Sequence, residues 1–301
     1  MAPPPPPPPP PSIRARARRL RQRFVFQREM RLRLISAAIL IPVVIFALWV
    51  GEIAFAGIVL VTALLVQEEW LRMVGAGHLR RVVLAAFAVL GILTVVAVTQ
   101  PLWAAAAVLA AGCLGVGATV LLSTRAASPW WVAAGVLYAG LAVIALVELR
   151  KGGDGFGAVV FVFLIAWTTD TAAFFVGRKV GGPRLWRSVS PSKTWSGAIG
   201  GVLAGALCGA FVLSLLEAPP SALGFAVAAL VAVASVGGDL LESAAKRRFH
   251  IKDAGTLIPG HGGVMDRVDG LITASVVTML IGSLAAAHTP AAGLLLLMGR
   301  P

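Results

Sequence analysis

Charge is scarce in this chain. Only 13% of its 301 residues are Asp, Glu, Lys or Arg, about half the roughly 25% of an ordinary soluble domain. That shortage, with 58% hydrophobic residues and a mean hydropathy of +0.89, excludes a free-standing soluble domain. The apolar runs lack the apolar/polar alternation of membrane strands, which excludes a β-barrel. Cysteine is confined to Cys113 and Cys208. Both lie inside apolar runs and read as small packing residues rather than a disulfide or metal pair. No small-residue cleavage site appears before Trp49 and Glu52, so a cleaved signal peptide is not expected.

What the chain does contain is length in its apolar runs. About 20 apolar residues cross a bilayer as a helix. Nine candidate spans run near 34–50, 53–67, 82–98, 102–122, 130–147, 156–176, 197–216, 221–237 and 270–287. The 291–298 run is too short to cross. The expected fold is an all-α integral membrane protein of about nine transmembrane helices. Its net charge of +13 invites a nucleic-acid reading, but the placement of the charges argues otherwise. With the N-terminus in the cytoplasm and the spans alternating, nine basic residues precede the first span. Three more fall in 68–81, one in 123–129, five in 177–196 and five in 238–269, making 23 of the 26. Such asymmetry is the positive-inside signature. The excess serves topology and contact with anionic lipid, and no nucleic-acid partner is expected.

Three regions follow. Residues 1–33 form a Pro/Arg-rich cytoplasmic arm, with prolines at 3–11 that suit a polyproline II rod. Residues 34–150 make a scaffold of five spans with almost no polar residues between their ends. Residues 151–301 make a catalytic region of four spans and their cytoplasmic loops. Trp49, Trp103, Trp130 and Trp131 fall at span ends, where indole rings anchor to the interface. Gly197, Gly201, Gly205 and Gly209 recur every four residues along one helix face. This stripe serves close helix packing, either within the chain or as a homodimer seam.

The polar residues of the catalytic region fall in four groups. Asp170 stands in an otherwise apolar span, and an aspartate at membrane depth points to function. The loop after it carries "SPSKT", in which Ser190, Lys193 and Thr194 precede a helix and suit phosphate oxygens. Its glycine spacing is not that of a P-loop. In "GGDLLESAAKRRFH", Asp239, Glu242, Ser243 and Lys246 fall at i, i+3, i+4 and i+7, on one helix face. Last comes "KDAGTLIPGHGGVMDRVDG". Its Gly260, Gly262 and Gly263 let backbone N–H groups close on an anion. Asp266 and Asp269 open the final span. An oxygen-only set built on Asp239 and Asp266 suits Mg²⁺ rather than zinc.

This run resembles the phosphatidate cytidylyltransferases, or CDP-diacylglycerol synthases. The signature extends over 27 residues with fixed gaps, through Ser243, Lys246, Arg247, Lys252, Asp253, Pro259, His261, Gly262, Gly263, Asp266, Arg267 and Asp269. Asp170 to Gly177, Ser190 to Thr194 and the Gly238-Asp239 pair extend the likeness over about 156–270. Ser192 and Ser196 stand where the family often has lysine and glutamate. The resemblance implies that CTP and phosphatidate react to CDP-diacylglycerol and pyrophosphate, for phospholipid synthesis in a bacterial-type inner (plasma) membrane. It implies catalytic roles for Asp239, Asp266, Lys246 and Asp269, with Mg²⁺ on Asp239 and Asp266. Lys193, Lys246, Arg247, Lys252 and Arg267 are then expected to hold phosphates or the lipid headgroup, on the cytoplasmic side. Ser190, Thr194, Ser243, Asp253, His261, Gly262, Gly263 and Asp170 complete the expected substrate site. Two alternatives remain at this point: transfer to another membrane lipid phosphate, and an ion-coupled anion transporter. The absence of an internal repeat weighs against the second.

Overall fold

The computed structural model describes residues 38, 41–123, 127–255, 262–285 and 288–300. The arm, and His261 with its preceding loop, lie outside the described residues. In chain order the helices are α1 (Ile41–Val50), α2 (Glu52–Met73), α3 (Arg80–Thr99), α4 (Leu102–Ser123), α5 (Pro129–Arg150) and α6 (Gly155–Val180). A short hairpin follows, of β1 (Arg184–Trp186) and β2 (Ser190–Thr194), then α7 (Trp195–Leu215), α8 (Ala222–Arg248), α9 (Met265–Ser283) and α10 (Pro290–Leu297).

Seven of these, α2 to α8, are long and apolar enough to cross a membrane, so the chain is a multi-pass membrane protein. The two spans expected at the ends of the series are not among these seven. Within the described residues, α1 covers only Ile41–Val50. The first turns of α9 carry Asp266, Arg267 and Asp269. The antiparallel β1–β2 pair is a small departure from the all-helical expectation, and "SPSKT" forms its second strand.

Helix boundaries follow local chemistry. Pro129 opens α5 at the first turn, where its missing N–H costs nothing. The side-chain oxygens of Thr194, Ser221 and Thr289 accept the Gly197, Gly224 and Ala292 N–H groups and cap α7, α8 and α10. Around these boundaries the burial is uneven. In the most apolar stretch of α5, 78% of residues are buried, against 28% in that of α4. Helix α5 is therefore the central post, with α2, α3, α4 and α9 packed on it. The outer helices turn side chains such as Leu114, Leu122 and Phe211 outward, as lipid-facing surfaces do.

Two sets of glycine contacts shape the packing of α6 to α9. The α7 stripe packs against α6: a Cβ on Gly197 would lie 2.7 Å from the Ala173 carbonyl oxygen, and one on Gly201 2.7 Å from that of Thr169. The stripe is thus spent inside the chain and does not face a second copy. The second set joins α8 to α9. Gly238 leaves no room for a Cβ against Thr273 and the Asp269 carbonyl, and a Cβ on Gly270 would sit 2.6 Å from Ser235 Oγ. Thr273 Oγ1 donates to the Ala234 carbonyl at 2.7 Å across the same crossing. These two glycines are the sequence neighbours of Asp239 and Asp269, so the close approach of the backbones is what brings the two carboxylates together.

Candidate active site

Three carboxylates meet at this crossing. One oxygen from each of Asp239, Glu242 and Asp269 lies within 4.8 Å of the others. Glu242 and Asp269 are buried. Glu242 Oε1 is buried without a hydrogen-bond partner among the described residues, while Asp269 Oδ1 accepts its neighbour Gly270 N–H at 2.8 Å. Like charges this close repel strongly in a medium of low dielectric. An oxygen-only set with an unpartnered carboxylate oxygen is chemistry that a hard divalent cation fits.

Lysines border the acids on two sides. Lys193, on β2, forms an ion pair with Asp239. Lys246 lies 2.6 Å from Glu242 Oε2, one turn back on its own helix, and 2.6 Å from Asp266 Oδ1 on α9. The expected single face of α8 is thus realised: Ser243 Oγ stands 3.4 Å from Asp239 Oδ1, and Lys246 reaches Glu242. Asp170, on α6, is exposed, and the charges acting on it are those of Asp239, Lys193 and Arg267. Four elements (α6, β2, α8 and α9) therefore converge on one polar locus.

Asp266 has a different setting from the one its spacing suggested. The sequence paired it with Asp239, but here it turns toward Lys246 and the chain after α8. Its Oδ2 accepts N–H groups from Ala254 at 3.2 Å and Gly263 at 3.1 Å. Burial opposes its charge. The Glu242 and Lys246 side chains as hydrogen-bond partners, the Lys246 ammonium and the Ala254 N–H outweigh that, and hold its carboxyl below the usual aspartate range. The partner that does stand beside Asp239 is Asp269, three residues on. A step of three along a helix rises about 4.5 Å, enough to separate the two carboxylates onto different neighbours.

Other expected site residues are engaged with protein. The Thr194 hydroxyl caps α7 and lies 3.1 Å from Ser196 Oγ, and Ser196 donates to the Gly181 carbonyl. Arg247 donates to the carbonyls of Val189 and Ile251, each at 3.2 Å, which ties the hairpin to the end of α8. Ser190 is buried in β2, whereas Lys252, Asp253 and Arg267 are exposed. Gly262 has φ 87°, a left-handed conformation suited to glycine, and Gly263 closes on Asp266. The anions these glycines admit are the protein's own carboxylates.

Two buried acidic residues beside this locus, Glu242 and Glu69, carry no role in the expected site. Glu242 was placed on the polar face of α8 without a role. Glu69, inside α2, is fully buried and accepts the N–H groups of Val264 at 2.9 Å and Met265 at 2.8 Å. A signal for it existed: "QEEW" interrupts an apolar run, and an acid at that depth is expensive unless paired.

Together these features define a multi-pass helical membrane protein in which a cluster of carboxylates and lysines suits metal-assisted chemistry on phosphates. The chain belongs to the cytidylyltransferase family, whose sequence model matches residues 31–285, and is a nucleotidyltransferase. It is 39% identical over 260 residues to a Brucella suis protein named phosphatidate cytidylyltransferase, covering 85% of this chain and 94% of the relative. A Pseudomonas aeruginosa protein of the same name is 33% identical over 265 residues, 81% of this chain and 94% of its own length. A Haemophilus influenzae protein, again so named, is 42% identical over 126 residues, 40% of this chain and 43% of its own.

Proposed function

We propose that this chain transfers the cytidylyl group of CTP to phosphatidate, releasing pyrophosphate and leaving CDP-diacylglycerol in the membrane. The observation that carries the reading is the carboxylate cluster of Asp239, Glu242 and Asp269 flanked by Lys193 and Lys246 in a chain of this family. An oxygen of the lipid phosphate attacks the α-phosphorus of CTP. A new P–O bond forms there, the bond to the β-phosphate oxygen breaks, and pyrophosphate departs with that electron pair. The second pKa of a phosphate monoester is about 6, so the nucleophile is largely ionised at neutral pH without a protein base.

The barrier is then mutual repulsion of anions, and the chain's residues act on it by position and charge. Asp239, Glu242 and Asp269 would hold Mg²⁺, which when bound supplies charge neutralisation of the phosphates. Asp266 keeps Lys246 beside that cluster rather than completing it. An ammonium has three donors; Lys246 directs two at Glu242 and Asp266, and Lys193 one at Asp239, so each retains capacity for a phosphate oxygen. Arg267 and Asp170 border the same locus from α9 and α6. An apolar crevice lined by Phe55, Ala142, Leu271 and Ile272, among others, adjoins the turn of α9 that carries Asp269, and gives a lipid's hydrocarbon a place beside the polar groups.

In this reading nine spans alternate from a cytoplasmic N-terminus, and the site faces the cytoplasm, where CTP is available. Purified protein with labelled CTP, phosphatidate and Mg²⁺ is the direct test. A lipid-soluble cytidine product, with pyrophosphate released in equal amount, is expected. Transfer to a different lipid phosphate but not to phosphatidate would change the substrate. No cytidine product with any lipid phosphate, together with anion uptake in reconstituted vesicles, would replace the enzyme by a transporter.

A further inference from the structure

A buried carboxylate from the scaffold half sits under the catalytic half. Glu69 is fully buried, and burying a charge is costly unless its lone pairs are satisfied. Its two oxygens each accept one N–H, from Val264 and from Met265. Those donors belong to the N-cap and first residue of α9, where helical N–H groups have no partner within the helix and the macrodipole favours an anion. The chain also closes tightly around the carboxylate. A Cβ on Gly263 would lie 2.8 Å from Glu69 Oε2 and 2.9 Å from the Gly255 nitrogen, and Gly255 itself has no room for a Cβ against Glu69 Oε1. Both described ends of the connection between α8 and α9 therefore rest on one side chain, 195 residues away from Val264 in sequence.

We propose that Glu69 is a positioning residue for the transfer reaction: by holding the Val264 and Met265 N–H groups it sets the height and rotation of the first turns of α9, and so the directions of Asp266 and Asp269. Each residue of a helix turns about 100° and rises about 1.5 Å. A small slip of the first turn therefore moves Asp266 relative to Lys246, and Asp269 relative to Asp239. Misplacement by about 1 Å at a reacting centre costs on the order of 100-fold in rate. Glu69 is not one of the three clustered carboxylates, and acts through the helix it caps. The anion that fills this helix terminus is built into the fold, so α9 offers its carboxylates, not its N-terminus, to the reaction.

The inference rests on the reaction proposed above, and two variants test it. Glu69→Gln keeps the size but replaces one acceptor oxygen by an NH₂ group that cannot accept. Gly255→Ala leaves Glu69 intact and pushes a methyl group against its carboxylate. Each is assayed for kcat and for KM toward CTP per unit of folded protein, and by amide hydrogen exchange at Val264 and Met265. Expected for both are a kcat lower by about 100-fold, KM for CTP changed by less than about 3-fold, and faster exchange confined to the start of α9. Glu69→Asp, with both acceptors retained, should recover part of the lost kcat. Wild-type kcat in either folded variant overturns the proposal, as does activity lost only in proportion to unfolded protein. If neither variant folds, Glu69 is an element of stability and the proposal falls. If the wild type itself makes no cytidine lipid, the reaction falls first, a result distinguishable from all of these.

Discussion

Lys246 Nζ lies 2.6 Å from Asp266 Oδ1, and this pair fastens the end of α8 to the start of α9. The same ammonium neutralises Glu242, whose side chain is 1% exposed. Removing one member of a buried ion group leaves uncompensated charge and typically costs about 3–5 kcal/mol. Lys246→Met, close in volume, should therefore lower the melting temperature in detergent markedly and abolish cytidylyl transfer. An unchanged melting temperature would show that the acids find another counter-charge.

Asp239 and Asp266 should separate when each is changed to asparagine. Asp239 forms an ion pair with Lys193, at a site where both side chains are 25–30% exposed, and such pairs contribute about 0–1 kcal/mol. Asp239→Asn should fold like the wild type while losing more than the roughly 10–100-fold in activity that changes beyond the metal ligands cause. Asp266→Asn replaces one oxygen of a carboxylate whose Oδ2 holds two backbone N–H groups and whose Oδ1 holds Lys246, and should also lose about 1–3 kcal/mol of stability. Calorimetry beside the assay distinguishes them, and equal melting temperatures for the two variants would contradict the assigned contacts.

The packing of α7 on α6 makes Gly205 intolerant of size. A Cβ there meets Thr169 Oγ1 and lies 3.0 Å from Ala232 Cβ, whereas one on Gly115 meets nothing within 4 Å. Gly205→Leu should destabilise the protein by about 1–3 kcal/mol through overpacking, with Gly115→Leu near neutral. Thermal melts of the two in the same detergent provide the comparison. A neutral Gly205→Leu would mean that the α6–α7 contact yields.

The topology has its own test. In a variant lacking Cys113 and Cys208, a single cysteine at Ser188 should resist an impermeant thiol reagent in intact cells, and one at Pro219 should react. Both positions are exposed on loops. Labelling at Ser188 and protection at Pro219 would invert the orientation.

By itself the amino-acid sequence determined the class of protein and the order of its parts. Apolar runs of about 20 residues make helices long enough to cross a membrane, as in α2 to α8. The i, i+3, i+4, i+7 spacing from Asp239 to Lys246 lies within one helix, so its common face follows from helical geometry alone. The fixed-gap run from Ser243 to Asp269 indicated the family. Tertiary structure decided which groups from different helices meet. Nothing in the spacing of Asp266 and Asp269 says which of them faces Asp239. That choice is made by Gly238 and Gly270, which let α8 and α9 approach until Asp239 and Asp269 are neighbours. Nor does local pattern reveal that Glu69 of α2 would cap α9. Such contacts depend on how helices remote in sequence pack around α5, and the side-chain period of a single helix carries no record of its neighbour.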